Sequence, residues 1–225
     1  MLSPTEHLVT NALESYIYSR KDVSTFLDHL STYGKIYIFG GVIRDLAYNA
    51  FHHDNVVVSD IDVIIDTEDF VPPYGEHTRN SFGGYKFQLP NDTLDVWRIK
   101  DTLAVKKSIV QNKIESIPKS TVFTANSIII EWPTGNLFQD GFFDALSQRQ
   151  ITFQCKDYLE LYPELQALRA VTYVQKLGFT LTKDVHDFVA RTVRKQTESM
   201  FRNKLKDTAK RGRSSVIKSM FNDFA

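Results

Sequence analysis

Apolar residues recur at helical spacing from residue 4 to residue 32. Leu8, Ala12 and Tyr16 fall on one face and Phe26, Leu27 and Leu30 on another, which predicts two helices ahead of the first strand. The pattern then changes. "KIYIFG" at 35–40 and "DIDVIID" at 60–66 are short, β-branched and aromatic, as strands are, and the intervening "GVIRDLAYNA" has the composition of a helix. Turn signals fill 67–83 ("VPPYGEH", "NSFGG"), after which "YKFQL" and "TLDVWRI" read as a hairpin around Pro90, Asn91 and Asp92. A further strand, "NSIIIEW", leads through a "PTGN" turn to "LFQD". From Tyr158 helical spacing takes over in three blocks, "LELYPELQALRAVTYVQKLGF", "DVHDFVARTVRKQTESMFRNKLK" and "SSVIKSMFND", with Gly178 and Gly212 at helix-ending positions. The layout is an α+β head over residues 1–150, N-terminal helices included, followed by an all-helical segment over 151–225.

Composition narrows the setting. A chain of 225 residues, 42% hydrophobic, is long enough for one large domain or two small ones and builds its core without staples. The single cysteine, Cys155, excludes an internal disulfide and any cysteine-based zinc cluster, so the expected compartment is reducing and cytoplasmic. Cys155 itself reads as a buried apolar residue. No uninterrupted apolar run reaches bilayer length, and "MLSPTEHLVTNALESY" lacks the basic start and apolar middle of a leader, so no membrane partner is expected.

The zero net charge conceals an asymmetry. Residues 191–225 hold ten Lys and Arg against three Asp and Glu, which leaves the remainder of the chain acidic. Lys210, Arg211 and Arg213 are the candidate RNA contacts of this basic tail. The competing reading is an ordinary amphipathic helix pair with a basic solvated face, in which Met200, Phe201, Leu205, Val216, Ile217, Met220 and Phe221 pack. The six histidines show no metal-ligand spacing, and the adjacent His52 and His53 are expected in a loop.

Chemistry concentrates in the head. Asp60 and Asp62, two apart on a predicted strand, project to one face, and their hard oxygens suit Mg²⁺ or Mn²⁺. Two solvated carboxylates at a strand end would give the same spacing. The glycine pair Gly40–Gly41 weighs against that bland reading, because two glycines at a strand-to-helix turn let backbone N–H groups approach a phosphate at the helix N-terminus. Asp95, in "LDVWRI", is a third strand carboxylate; if its strand lies beside that of Asp60, the three converge as a metal site.

"GGVIRDLAYN" followed by "SDIDVII" resembles the head of the class II tRNA nucleotidyltransferase and bacterial poly(A) polymerase family, within the polymerase-beta-like nucleotidyltransferase superfamily. "FTANSIIIEWPTGNLFQDGFFDALSQRQI" is similar to that family's Phe-Thr-x-Asn-Ala stretch, with Asn126, Gly135, Asp140 and Leu146 in register. "LRAVTYVQKLGFTL" is similar to its head-to-neck helix, with Leu168, Arg169, Ala170, Leu177, Gly178 and Phe179 matching. Together these motifs cover residues 36 to 185. The resemblance implies a mixed sheet of about five strands flanked by helices, then a helical neck. It further implies Asp60, Asp62 and Asp95 as metal ligands and catalytic residues, and Gly40, Gly41, Arg44, Asp45, Asn126 and Arg169 as the nucleotide-binding set. For Arg44, a purely structural ion pair stands beside a phosphate contact.

Two departures bear on function. The family's Arg-Arg-Asp is replaced here by Ser120, Thr121 and Val122, and its base-reading Glu-Asp-x-x-Arg by Tyr162, Pro163 and Gln166. The leading expectation is a template-independent transfer of an NMP from an NTP, ATP among them, to an RNA 3′ end by two metal ions, releasing pyrophosphate. A protein hydroxyl as acceptor, and a non-catalytic binding module with a degenerate head, are the alternatives.

Overall fold

The structure, a computed structural model, describes residues 2–70, 72, 77–80, 83–205 and 214–224. The chain divides into two compact units, one formed by residues 1–120 with 126–140 and the other by 121–125 with 141–225. The class is α+β, a mixed sheet flanked by helices, as the resemblance implies.

In the first unit, helices α1 (Pro4–Tyr18) and α2 (Lys21–Ser31) precede β1 (Lys35–Phe39), α3 (Gly41–His52) and β2 (Ile61–Asp66). Then come β3 (His77–Arg79), β4 (Tyr85–Gln88), β5 (Thr93–Arg98), the short α4 (Leu103–Lys106), β6 (Ile128–Trp132) and β7 (Leu137–Gln139). These seven strands form one sheet in the order β3-β4-β5-β2-β1-β6-β7, two more than the resemblance implies. The β2–β5 pair is parallel and its other pairs are antiparallel.

Strand alternation sorts the core into two layers. Tyr37, Ile64 and Ile129 pack on Ile99, Ile114 and Ile117, so the segment after β5 covers one face. The opposite face carries Ile36, Ile38, Val63, Ile65 and Ile130, which are 0–2% exposed, and α2 and α3 contact its strands.

Helix α1 starts where sequence chemistry dictates. Ser3 caps it, Glu6 closes a capping box and Pro4 takes the first turn, where a missing N–H costs nothing. Its buried stripe is Val9, Leu13 and Ile17; Leu8 is 43% exposed and Ala12 and Tyr16 are half-buried. The buried stripe lies one residue along from the expected face and is the more apolar of the two, and α1 contacts α3.

The second unit contains α5 (Phe142–Gln148), β8 (Gln150–Ile151), α6 (Pro163–Leu177), β9 (Thr180–Leu181), α7 (Lys183–Arg194), α8 (Glu198–Lys204) and α9 (Ser214–Phe224). It is not wholly helical. β8 and β9 form a short parallel pair, and Phe123 bridges Phe153. The block expected as one helix from residue 184 onward is broken between α7 and α8, where the Thr197 side chain caps α8 by accepting from the Met200 N–H. Of the residues expected to pack here, Phe201, Leu205, Ile217 and Met220 are buried, whereas Met200 is 52% exposed. Among the described residues no helix is long and apolar enough to cross a membrane.

Candidate active site

The site grows from the turn between β1 and α3. Gly40 has φ 74° and ψ −127°, backbone that only glycine adopts without strain, and its carbonyl accepts the Arg44 N–H as α3 begins. Because β1 and β2 are antiparallel with Phe39 opposite Asp62, the turn lies at the entry to β2. A Cβ built on Gly40 would sit 3.9 Å from Asp62 Oδ2, and one on Gly41 only 3.0 Å from the Ser59 Cβ. The glycine turn and the "SDID" stretch are therefore in direct apposition.

Asp62 and Asp95 are Cα partners in the parallel β2–β5 pair, so their side chains leave the same face of adjacent strands. Asp60 is different. The ladder starts at Ile61, one residue later, so strand alternation does not set its direction. Asp60 instead lines an open cleft of about 500 Å³ together with Tyr16, Arg20, Ser59, Asp92 and Thr93. In that cleft the Arg20 guanidinium lies 3.6 Å over the Tyr16 ring and 3.4 Å from Asp92 Oδ1.

Among the described residues no group of three or more His, Cys, Asp or Glu side chains is gathered to hold a metal ion. The expected convergence of Asp60, Asp62 and Asp95 is thus reduced to the neighbouring pair Asp62 and Asp95. Asp95 is moreover engaged from the other side, by Lys86 Nζ at 3.0 Å and Asn80 Nδ2 at 3.4 Å.

Beneath the turn lies a buried polar network. Arg44 is 3% exposed and Asp45 fully buried. Arg44 Nε and Nη2 donate to Asp45 Oδ1 at 2.9 and 2.7 Å, and Nη1 donates to Asn126 Oδ1 at 2.8 Å. Asp45 Oδ2 accepts the Ser59 N–H at 2.9 Å and its hydroxyl at 2.6 Å. A buried ion pair is favourable only when further hydrogen bonds satisfy both ions, and these supply them. The network ties α3 to Ser59, one residue before Asp60, and to Asn126, before β6. Of the two readings of Arg44, the geometry displays the ion pair.

The remaining nucleotide-binding candidate, Arg169, is half-buried on α6 in the second unit, with Nη1 3.5 Å from Gln166 Oε1. Tyr162 is the α6 N-cap, Pro163 its first residue, and Gln166 is 3% exposed. Glu164, which the sequence did not single out, is buried. Burial alone would raise its carboxyl, but hydrogen bonds from Lys204 at 2.7 Å and Gln196 at 3.0 Å hold it below the usual carboxylate range. Ser120 donates to the Ile117 carbonyl and Thr121 to that of Phe123, local turn contacts where the resembled family has charges. Lys210, Arg211 and Arg213 lie outside the described residues. Burial pushes the Cys155 thiol up, as suits an inert cysteine. His52 ends α3 and is not in a loop, whereas His53, its C-cap at φ 51°, begins the turn that follows.

Sequence reasoning passed over Ser59, Asn80 and Lys86. A signal for Lys86 was present: with Gln88 opposite Thr93 across the hairpin, counting two residues outward on each strand pairs Lys86 with Asp95.

No family model matches the chain, and no curated protein matches it. Solved structures do. A CCA-adding enzyme in complex with CTP aligns with 90% of this chain and 51% of its own at TM-score 0.60 and 19% identity. The Thermotoga maritima CCA-adding enzyme complexed with tRNA aligns with 90% and 51% at TM-score 0.58 and 18% identity. A tRNA nucleotidyltransferase complexed with a primer tRNA and an incoming ATP analogue aligns with 84% and 57% at TM-score 0.57 and 17% identity. The chain shares their fold and spans about half of their length.

Proposed function

We propose that this chain is a template-independent nucleotidyltransferase that moves an NMP from an NTP to a hydroxyl at a tRNA-like RNA 3′ end. The observation that carries the reading is the register that sets Asp62 beside Asp95 on adjacent strands, with the Gly40 turn against Asp62, in a fold shared with CCA-adding enzymes.

The donor set fits Mg²⁺ or Mn²⁺. The side chains at the mouth of β2 are hard-oxygen carboxylates, and Mg²⁺ is usually held by one or two carboxylates together with substrate phosphates, not by an all-protein cage. That no three-ligand group is preassembled among the described residues is compatible with that mode. Asp62, with Asp60 two residues before it at the strand entry, would hold the ion, which when bound supplies charge neutralisation and Lewis acidity at the triphosphate.

The chain's own residues do the positioning. The Gly40–Gly41 turn presents the N-terminus of the twelve-residue α3, whose first N–H groups suit a phosphate. The Arg44–Asp45–Ser59 network fixes the approach to Asp60 and Asp62. In the transfer, the acceptor oxygen bonds to the α-phosphorus while the bond from that phosphorus to the bridging oxygen breaks. Pyrophosphate leaves with the electron pair, and the hydroxyl proton passes to solvent. Holding acceptor and NTP in line supplies most of what catalysis needs here.

The test is incubation of the full chain with each labelled NTP, Mg²⁺ and tRNA lacking its terminal triplet. The expected result is label in RNA with equimolar pyrophosphate. No pyrophosphate from any NTP would overturn the enzyme reading. Label on protein instead of RNA would overturn the acceptor.

A further inference from the structure

Lys86 stands opposite Asp95 across the β4–β5 pair, and its Nζ lies 3.0 Å from Oδ1 and 3.1 Å from Oδ2 of that carboxylate. The Asp95 side chain is only 13% exposed, so the pair is weakly screened. The hairpin holds a second donor in place: Asn80 Oδ1 accepts the Gly84 N–H at 2.9 Å while the Asn80 amide reaches Asp95. Gly84 permits this closure, because a Cβ there would collide with the Trp97 indole. On the far side of Asp95 stands Asp62, in parallel register. Across β4, β5 and β2 the charges therefore run plus, minus, minus.

From this row we propose that Lys86 is a resident cation of the site, occupying at Asp95 the place a second divalent ion would take. The chain then holds a single divalent ion, through Asp60 and Asp62. Two carboxylates on adjacent strands repel one another, and one fixed ammonium relieves that repulsion in the resting protein. The same ammonium repels a divalent ion approaching Asp95, since both would share one carboxylate in a partly dry setting. Lys86 is thus a positioning residue. The inference rests on the reading of Asp60 and Asp62 as metal-holding residues.

Mn²⁺ binding to the full chain, counted by electron paramagnetic resonance without nucleotide or RNA, tests it. One Mn²⁺ per chain is expected for the wild type and for Lys86→Arg, which keeps the cation. Two are expected for Lys86→Met and Lys86→Gln, the second site being at least about tenfold tighter than any such site in the wild type. The double variant Lys86→Met/Asp95→Asn should return to one. Two ions in the wild type, or an unchanged count in both neutral variants, would overturn the proposal, and circular dichroism confirms that each variant is folded. The count needs no substrate. A chain that transfers no NMP while showing these counts overturns only the proposed function; one that transfers while the count ignores Lys86 overturns only the resident cation.

Discussion

At the scale of single residues, the proposed function separates groups that would face substrate from groups that hold them. Asp62 belongs to the first kind: it lies on the strand, against the glycine turn, and is partly exposed. Asp62→Ala is expected to lower NMP transfer by at least about a hundredfold, comparable to losing a preorganised electrostatic group. Its thermal midpoint should hold or rise, because the variant removes one of two neighbouring like charges. Transfer at the wild-type rate would discard the assignment. Asp45 belongs to the second kind. Fully buried and bonded to Arg44 and Ser59, it cannot be neutralised without taking this carboxylate away from a buried guanidinium. Asp45→Asn is expected to destabilise the fold by about 3 kcal/mol or more in denaturant titration. A loss below about 1 kcal/mol would show that the network is dispensable.

At the scale of elements, the β1–α3 turn and the α6 terminus each carry a prediction. Gly40 has room for a methyl group, with its nearest neighbour 3.9 Å from the added carbon, so Gly40→Ala tests backbone conformation and not crowding. At φ 74° and ψ −127° the substitution should cost about 1–3 kcal/mol and shift the turn away from Asp62, raising the KM for NTP. An unchanged KM and stability would show that the turn relaxes freely. At the start of α6, the Glu164 carboxyl is held low by Lys204 and Gln196 against the opposing effect of burial. A depressed folded pKa contributes stability that is fully present above the unfolded value, about 4.3, and is lost as pH falls through the folded value. Glu164→Gln should therefore flatten the fall in stability below about pH 4.3, measured by urea midpoints across that range. Parallel acid-limb curves for variant and wild type would remove Glu164 from the acid response.

At the scale of the whole molecule, the proposed function raises the question of which nucleotide is added. Reading a base edge requires paired donors and acceptors, and a wrong base then leaves buried polar groups unpaired. Pro163 offers none, and Gln166 is 3% exposed with its amide oxygen at Arg169. Tyr162 could instead stack on a base, and stacking tolerates any base. The expectation is that the chain adds one preferred nucleotide, or several with weak preference, and does not build an ordered C-C-A end. Sequencing the ends of a triplet-less tRNA after incubation with all four NTPs decides it; faithful C-C-A would show that other residues read the base. In the basic C-terminal stretch part of the charge is already engaged: Arg202 with Glu198, Lys204 with Glu164, and Arg194 with the Phe224 carbonyl.

The order of the main helices and strands of the first unit and the glycine turn were determined by sequence alone, because each rests on local rules: the 3.6 and 2.0 periods, turn chemistry and glycine's access to positive φ; the β8–β9 pair and the break between α7 and α8 were not. The hairpin around Pro90 was local in the same sense, and with it the Lys86–Asp95 pairing. Three things were decided only by tertiary structure. The apposition of the glycine turn with the "SDID" stretch depended on the antiparallel β1–β2 pair, which sets Phe39 opposite Asp62. The fate of Arg44 depended on Asn126, 82 residues away, and on Ser59, both of which close on it through the fold. The strand beside Asp62 was settled by a parallel pairing, which no periodicity specifies. Asp60 shows the same limit in miniature, for the ladder that would have aimed it begins one residue too late. Local rules set what each segment becomes; which segments meet is fixed by burial and pairing over the whole chain, and the chemistry of the site lies in those meetings.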